Sequence, residues 1–222
     1  MAQFIVVGLG NFGSKISLSL SELGDEVLAI DIEAEFVDDV KDAVSQAVIA
    51  DATEKETLAK LISSDFDAAI VSLGDKMEAS VLVTLYLKEL GVRRIIVKAN
   101  NEDHGKVLKA VGATEVIYPE AQVALSLAQR LHTPNLIEHI PLAPEYSIVE
   151  IVASKMLIGK TLRELQFRQR YGVAVIAVKD VLTDNFYLIP DPDFMIKPDN
   201  ALIVVGMEAD IKKLQLSEDS LA

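Results

Sequence analysis

Cysteine is missing altogether from the 222 residues, and with it go disulfides, thiolate metal sites and cysteine nucleophiles. That absence fits a reducing cytoplasm. Positive charge is also scarce: 34 acidic residues against 21 basic ones leave a formal net charge of -13. A chain of that sign repels phosphate backbones and anionic lipid surfaces, so no nucleic acid is expected as a partner. No apolar run approaches the ~20 residues of a membrane-spanning helix, so a soluble chain is expected, its membrane association passing through a protein partner or a lipid. The opening "MAQFIVVG" enters an apolar stretch with neither a basic n-region nor a small-residue cleavage site, and no secretion signal is expected.

What the chain does have is aliphatic residues. Half of it is hydrophobic while only 5% is aromatic, a balance that suits strands covered by helices on both faces. Short apolar runs at 4–8, 26–30, 47–49, 69–73, 95–98 and 115–118 alternate with helical patterns beginning near residues 11, 34, 55, 77, 102 and 120. Right-handed crossovers then predict an α/β fold, a Rossmann-like, doubly wound parallel sheet of six strands. After Leu131 the stretch "HTPNLIEHIPLAPEYS" carries Pro134, Pro141 and Pro144 and reads as a connection, with a boundary near Pro134. Beyond it, strands are expected at 147–153 and 173–179 around a short helix at 162–168, whose "TLRE" start matches a capping box of Thr161 and Glu164. "FYLIP" and "ALIVVG" supply two more strands, and a helix at 209–214 completes a small α+β domain.

Gly8, Gly10 and Gly13 form G-x-G-x-x-G between the first strand and the first helix. In a dinucleotide-binding unit the first glycine permits the turn, the second lets the backbone approach phosphate, and the third packs helix on strand. The other reading of such a turn is plain packing. Asp31 ends the second strand about 20 residues on, where a carboxylate accepts hydrogen bonds from both ribose hydroxyls and repels a 2′-phosphate. Asp51, in "ADAT", stands where it either faces an adenine or caps the following helix. The letters "IVVG" recur at 203–206, but Met207, Glu208, Ala209 and Asp210 follow, and their two carboxylates oppose an anion there. That copy reads as a core strand turning into a helix.

Groups for a reaction are few. The histidines are His104 in the polar "NNEDHGK", and His132 and His139 beside the prolines; all three read as surface or boundary residues. There is no H-x-x-x-H pair, P-loop or G-x-S-x-G elbow. A dehydrogenase needs a proton-transfer residue beside its cofactor, and none is identified. A sensor of a nucleotide is therefore favoured over an enzyme, with a small NAD-dependent oxidoreductase as the rival.

The segments "IVVGLGNFGSKI", "VLAID", "AVIADATEKETL", "AAIVSLG", "IIVKANNEDHGKVLKAVGATEVIYPE" and "LIGKTLRELQFRQRYGVAVIAVK…PDPDFMIKPDNALIVVG" resemble the RCK proteins, cytoplasmic regulatory subunits of Ktr/Trk-type potassium transporters. The resemblance runs from residue 3 to about residue 214. It implies a TrkA-N lobe with a crossover helix at 1–133 and a TrkA-C lobe at 134–222. It further implies a homo-oligomeric ring, typically an octamer, docked on the cytoplasmic face of an integral-membrane potassium pore subunit and gating it. ATP, ADP or NAD(H) would bind the N-lobe. The resemblance places phosphates on Gly8, Gly10, Asn11, Phe12 and Gly13, and the ribose on Asp31 with Ile32 and Glu33 nearby. Adenine falls around Asp51, Ala52 and Thr53, with further contacts at Ser72, Leu73, Gly74 and Lys98. Glu120 matches a carboxylate that in some members helps hold a cation. Two departures stand out. Ktr-type members often carry an arginine at the position of Asn11, where it reaches a terminal phosphate across a dimer; Lys15 or Lys98 would have to share that role. Relatives that bind cyclic di-AMP use an Arg and an Asn in the C-lobe, whereas this chain has Arg168 but Ala174.

Overall fold

A computed structural model describes residues 1–62, 65–132 and 135–219; the boundary expected at Pro134 lies outside them. The chain divides into two compact units, Met1–Glu120 and Ala121–Ala222.

In the first unit, β1 (Gln3–Val7), β2 (Glu26–Asp31), β3 (Gln46–Ile49), β4 (Ala68–Val71), β5 (Ile95–Lys98) and β6 (Glu115–Ile117) form one sheet. Between them run α1 (Asn11–Glu22), α2 (Ala34–Val40), α3 (Lys55–Leu61), α4 (Met77–Glu89) and α5 (Glu102–Val111). The strand order is β3-β2-β1-β4-β5-β6 and every pairing is parallel, as the alternation of apolar runs and helical patterns predicts. Period-two geometry divides β1 between two cores. Ile5 and Val7 pack with Leu58 of α3, Val83 and Leu87 of α4 and Leu108 of α5. Val6 faces the opposite way and packs with Val37 and Val40 of α2. Burial on both faces is why these strands read as unbroken apolar runs rather than as alternating ones.

A further helix, α6 (Pro119–His132), starts at the end of this unit. The second unit then holds β7 (Leu136–Ala143), β8 (Tyr146–Val152), α7 (Leu162–Leu165), α8 (Phe167–Tyr171), β9 (Ala174–Asp180), β10 (Phe186–Leu188), β11 (Asn200–Met207) and α9 (Glu208–Asp219). Its sheet is antiparallel in the order β10-β9-β11-β8-β7. The second "IVVG" lies in β11, the central strand, with Leu202 and Val204 fully buried, and the chain passes directly into α9. It is a core strand, as its flanking carboxylates imply.

Two expectations are corrected here. The proline-rich stretch is not only a connection, since 136–143 forms β7. Proline removes a ladder donor, which an edge strand tolerates; β7 is at the sheet edge, and its register slips between Pro141 and Ala143. The single helix at 162–168 is instead two, because Gln166 adopts a left-handed conformation with φ 48° that ends α7 and starts α8. The capping box of Thr161 and Glu164 is present, each side chain bonded to the other's backbone N–H.

Candidate functional site

Between β1 and β4 the strand order reverses direction, and a cleft of about 740 Å³ opens at the carboxyl ends of the strands there. Open parallel sheets hold their ligands at such switch points. The three glycines of the first turn do three different things. Gly8 has φ 91°, and a Cβ on it would fall 2.2 Å from the Ser72 carbonyl oxygen, so only glycine allows β1 to pass this close to the end of β4. A Cβ on Gly13 would fall 1.8 Å from the Gly8 carbonyl oxygen; Gly13 is buried behind the turn, where it seats α1, rather than lining the cleft. Around Gly10 nothing lies within 4 Å of the Cβ position, leaving the backbone open to the cleft. Gly10 is also the N-cap of α1, which has no side-chain cap and no acidic residue in its first turn. A helix start of this kind presents N–H donors and the positive end of the dipole to an anion. Asn11 and Phe12, in that first turn, line the cleft with Gly8 and Gly10.

Asp31 binds this turn to the end of β2. Its Oδ2 accepts the Leu9 N–H at 2.6 Å and its Oδ1 accepts the Glu33 N–H at 2.9 Å. Each oxygen keeps a lone pair, which a vicinal diol can use. Ile32 and Glu33 continue the same wall. Asp51 Oδ1 accepts both the Thr53 N–H at 2.8 Å and the Thr53 hydroxyl at 2.6 Å, and these bonds hold its carboxyl below the usual carboxylate range. The helix-cap reading of Asp51 is thereby corrected: the N-cap of α3 is Glu54, and Asp51 fixes the turn before it. Ala52 and Thr53 line the cleft beside Asp51, and Ser72, Leu73 and Gly74 do so from the end of β4.

Lys98, at the end of β5, has its side chain only 14% exposed. Its ammonium lies 6.0 Å from the centroid of the Phe12 ring and is ion-paired with Glu120 in the first turn of α6. The hydrogen bond from Lys98 pulls the Glu120 carboxyl below its ordinary pKa. Both residues line the cleft. Among the described residues no group of three or more His, Cys, Asp or Glu side chains could hold a metal ion.

The cleft also takes Phe36 from α2, Lys15 from α1, and Lys76 and Ala79 from the start of α4. Phe36, Lys76 and Ala79 carry no motif; an exposed aromatic five residues past Asp31, on an otherwise acidic helix, was the one available signal. His104 is the clearest correction, being 1% exposed rather than at the surface. Its Nε2 is 2.8 Å from Ser80 Oγ, and that hydroxyl donates to the Met77 carbonyl at 2.8 Å. Nε2 therefore carries the proton and donates to Ser80, while Nδ1 faces the Asn100 N–H at 3.5 Å. Burial lowers the imidazole pKa. His104 is outside the cleft lining, but Asn100 also donates from Nδ2 to the Gly74 carbonyl at 3.1 Å, which connects the buried pair to the β4–α4 loop. In the second unit, Arg168 and Ala174 share a shallower groove of about 410 Å³.

Comparison with known proteins supplies the family. A TrkA-N domain model matches residues 4–119 and a TrkA-C domain model matches residues 146–216. The chain is 39% identical over 213 residues to the Ktr system potassium uptake protein C of Bacillus subtilis (strain 168), covering 96% of each chain. It is 35% identical over 204 residues to the Ktr system potassium uptake protein A of Vibrio alginolyticus, covering 92% of each. Among solved structures, the RCK domain of GsuK superimposes with a TM-score of 0.70 at 17% identity, over 99% of this chain and 48% of that one. The GsuK channel bound to NAD superimposes with a TM-score of 0.65 at 18% identity, over 94% of this chain and 38% of that one. This chain thus spans about half or less of those solved chains, and the likeness is one of fold. With both domain models in order and relatives matched almost end to end, the chain belongs to the TrkA-N/TrkA-C family, alongside the Ktr system potassium uptake proteins.

Proposed function

We propose that this chain is the nucleotide-sensing regulatory subunit of a potassium uptake transporter. One observation carries the reading: a cleft with an open glycine turn and a carboxylate, Asp31, at the end of β2 occurs in a chain that aligns almost throughout with a Ktr system protein. ATP or ADP is the ligand, with NAD(H) as a further one. The phosphates lie on Gly10, Asn11 and Phe12, with Gly8 and Gly13 shaping the turn. The ribose is held by Asp31 beside Ile32 and Glu33, the adenine lies at Asp51, Ala52 and Thr53, and Ser72, Leu73 and Gly74 form the facing wall. The carboxylate of Asp31 excludes the 2′-phosphate of NADP.

In this reading the chain acts as a switch rather than as an enzyme, since the relatives it matches almost end to end are potassium uptake proteins. Copies assemble as a ring, an octamer, on the cytoplasmic face of an integral-membrane potassium transporter subunit. No described helix is long and apolar enough to cross a membrane, so attachment through that subunit makes the chain a peripheral protein. Nucleotide binding favours one ring shape, and ~1–3 kcal/mol of coupling per site, summed over the ring, gates the pore. Cyclic di-AMP is not assigned to the second unit, where Ala174 offers no polar side chain. Thermal melts with ATP, ADP, NADH and NADPH, with a solution molar mass and scattering profile for each state, test the reading. Stabilisation by ATP and ADP, a ring-sized mass and a profile that differs between the two are expected. No stabilisation by any nucleotide, or hydride transfer from bound NADH to a substrate, overturns it.

A further inference from the structure

We infer that His104 is a positioning residue of the cleft: its neutral imidazole holds the β4–α4 wall in place through Ser80 and Asn100, and protonating it weakens nucleotide binding. The inference rests on the nucleotide reading of the cleft and gives that site a dependence on pH.

His104 is the one histidine of Met1–Glu120. It is buried, and both of its ring nitrogens are engaged. Nε2–H donates to Ser80, the residue after Ala79, which lines the cleft from α4. Nδ1 turns its lone pair to the Asn100 N–H, just past the end of β5. The Asn100 side chain carries the contact on: its Nδ2 donates to the Gly74 carbonyl at 3.1 Å and to Asp75 Oδ1 at 2.9 Å. Gly74 lines the cleft whereas His104 and Asn100 do not, so both act through the wall they hold. A second proton on the ring changes its chemistry on one side. Nε2–H still serves Ser80, but Nδ1 becomes a donor facing a donor, and the Asn100 N–H must move away. The amide that clips Gly74 moves with that backbone. Burial lowers the imidazole pKa, so the fold already favours the neutral ring. The ionisable groups of the surrounding elements are Asp75, Lys76 and Glu78 at the start of α4 and Glu102, Asp103 and Lys106 on α5, all exposed. Lys98 of β5 is paired with Glu120, and the Tyr118 hydroxyl, just past β6, stands against Gly105. An imidazole is the one side chain whose ordinary pKa falls between about pH 5 and 8. Binding that needs the neutral ring lowers its pKa further, so affinity is complete above the pKa of the free protein and falls as pH drops through it.

Calorimetric titration of the full chain with ADP, repeated from pH 7.5 down to the edge of the folded range, tests this in wild type, His104→Gln and Asn100→Ala. Ionisation of ADP is common to all three, so differences between the profiles belong to the protein. Wild type is expected to lose ~5-fold more affinity than His104→Gln over that range, the lower end of coupling between sites. Asn100→Ala is expected to bind ADP ~5-fold more weakly at pH 7.5, the scale of the hydrogen bonds removed. It should also follow the profile of His104→Gln although its imidazole is intact, which a merely structural histidine would not produce. Parallel profiles for wild type and His104→Gln overturn the inference. A wild-type profile in Asn100→Ala overturns it too, because the imidazole would then reach the cleft by another route. Should His104→Gln fail to fold, Asn100→Ala decides alone, the bonds it removes being at the surface. A profile flatter than that of wild type then supports the coupling, and an equal one overturns it. Wild type that binds no ADP at any pH overturns the nucleotide reading itself, whereas ADP binding with parallel profiles overturns only the role of His104.

Discussion

Gly10 and Gly13 stand three residues apart and should respond oppositely to the same methyl group. At Gly13 the added carbon would sit 1.8 Å from a backbone oxygen that has no rotamer to change, so α1 must move off the strand. Gly13→Ala is expected to cost about 3 kcal/mol of stability without ligand. Gly10 has open space at that position, and Gly10→Ala should change apo stability by no more than about 1 kcal/mol, the scale of an N-cap substitution. It should nevertheless weaken nucleotide binding at least tenfold, because the methyl fills the space that phosphate needs. Denaturation in urea with and without ATP separates the two effects, and an apo-unstable Gly10→Ala with normal ATP stabilisation would reverse the assignment. Asp31→Asn adds a third case. An amide has only one acceptor oxygen, so either the Leu9 or the Glu33 N–H loses its bond, and a loss of about 1–3 kcal/mol without ligand is expected, besides weaker nucleotide binding. Much of this chemistry was legible in the residues themselves, since the glycine spacing and an acid at the end of the second strand encode backbone geometry and local charge. The Lys98–Glu120 pair was not legible as a pair: the two are far apart in sequence, and only the β5–β6 register and the start of α6 bring them together.

At the scale of elements, α4 and α5 are joined by a contact that needs a neutral imidazole. His104 is buried, its Nε2–H serves Ser80, and burial lowers its pKa from the ordinary 6.5. The unfolded chain therefore takes up a proton that the folded one refuses. Stability from this group is complete above about pH 6.5 and falls as pH drops below it, by up to ~1.4 kcal/mol per pH unit until the folded pKa is reached. Asp51 and Glu120 titrate lower still: their folded pKa values are depressed from 3.8 and 4.5, so what they contribute is present above those values and is lost only in more acid solution. Urea denaturation between pH 7.5 and 5.5 should thus show a slope in wild type that His104→Gln flattens, whatever the variant's absolute stability. An unchanged slope would mean that His104 titrates alike in both states. The burial of His104 was hidden because "NNEDHGK" is polar when read residue by residue. The signal was the spacing instead, since His104 and Leu108 lie one helical turn apart on the inward face of α5. β7 was hidden for a related reason, because prolines argue against a central strand and say little against an edge one.

At the scale of the whole molecule, the two units have separate cores, and every residue lining the cleft belongs to Met1–Glu120. Nucleotide binding is a linkage effect on whichever unit holds the site. Ligand at a hundred times its Kd adds about 2.7 kcal/mol to that unit, which for a domain of this size raises the melting temperature by roughly 10 °C. Heat denaturation of the full chain followed by calorimetry should accordingly resolve two transitions, with ATP moving one and leaving the other in place. Gly10→Ala should abolish the movement without altering the order of the transitions, and a substitution in the second core such as Leu202→Ala should lower the unmoved transition by itself, Leu202 being fully buried in β11. A single transition that ATP shifts as a whole would show that the units unfold together. In that case the cleft would communicate with the second unit through stability as well as shape, and the Leu202 substitution would also lower the apparent affinity for ATP. Two transitions that both move with ATP would place ligand contacts in the second unit, contrary to a site confined to the first.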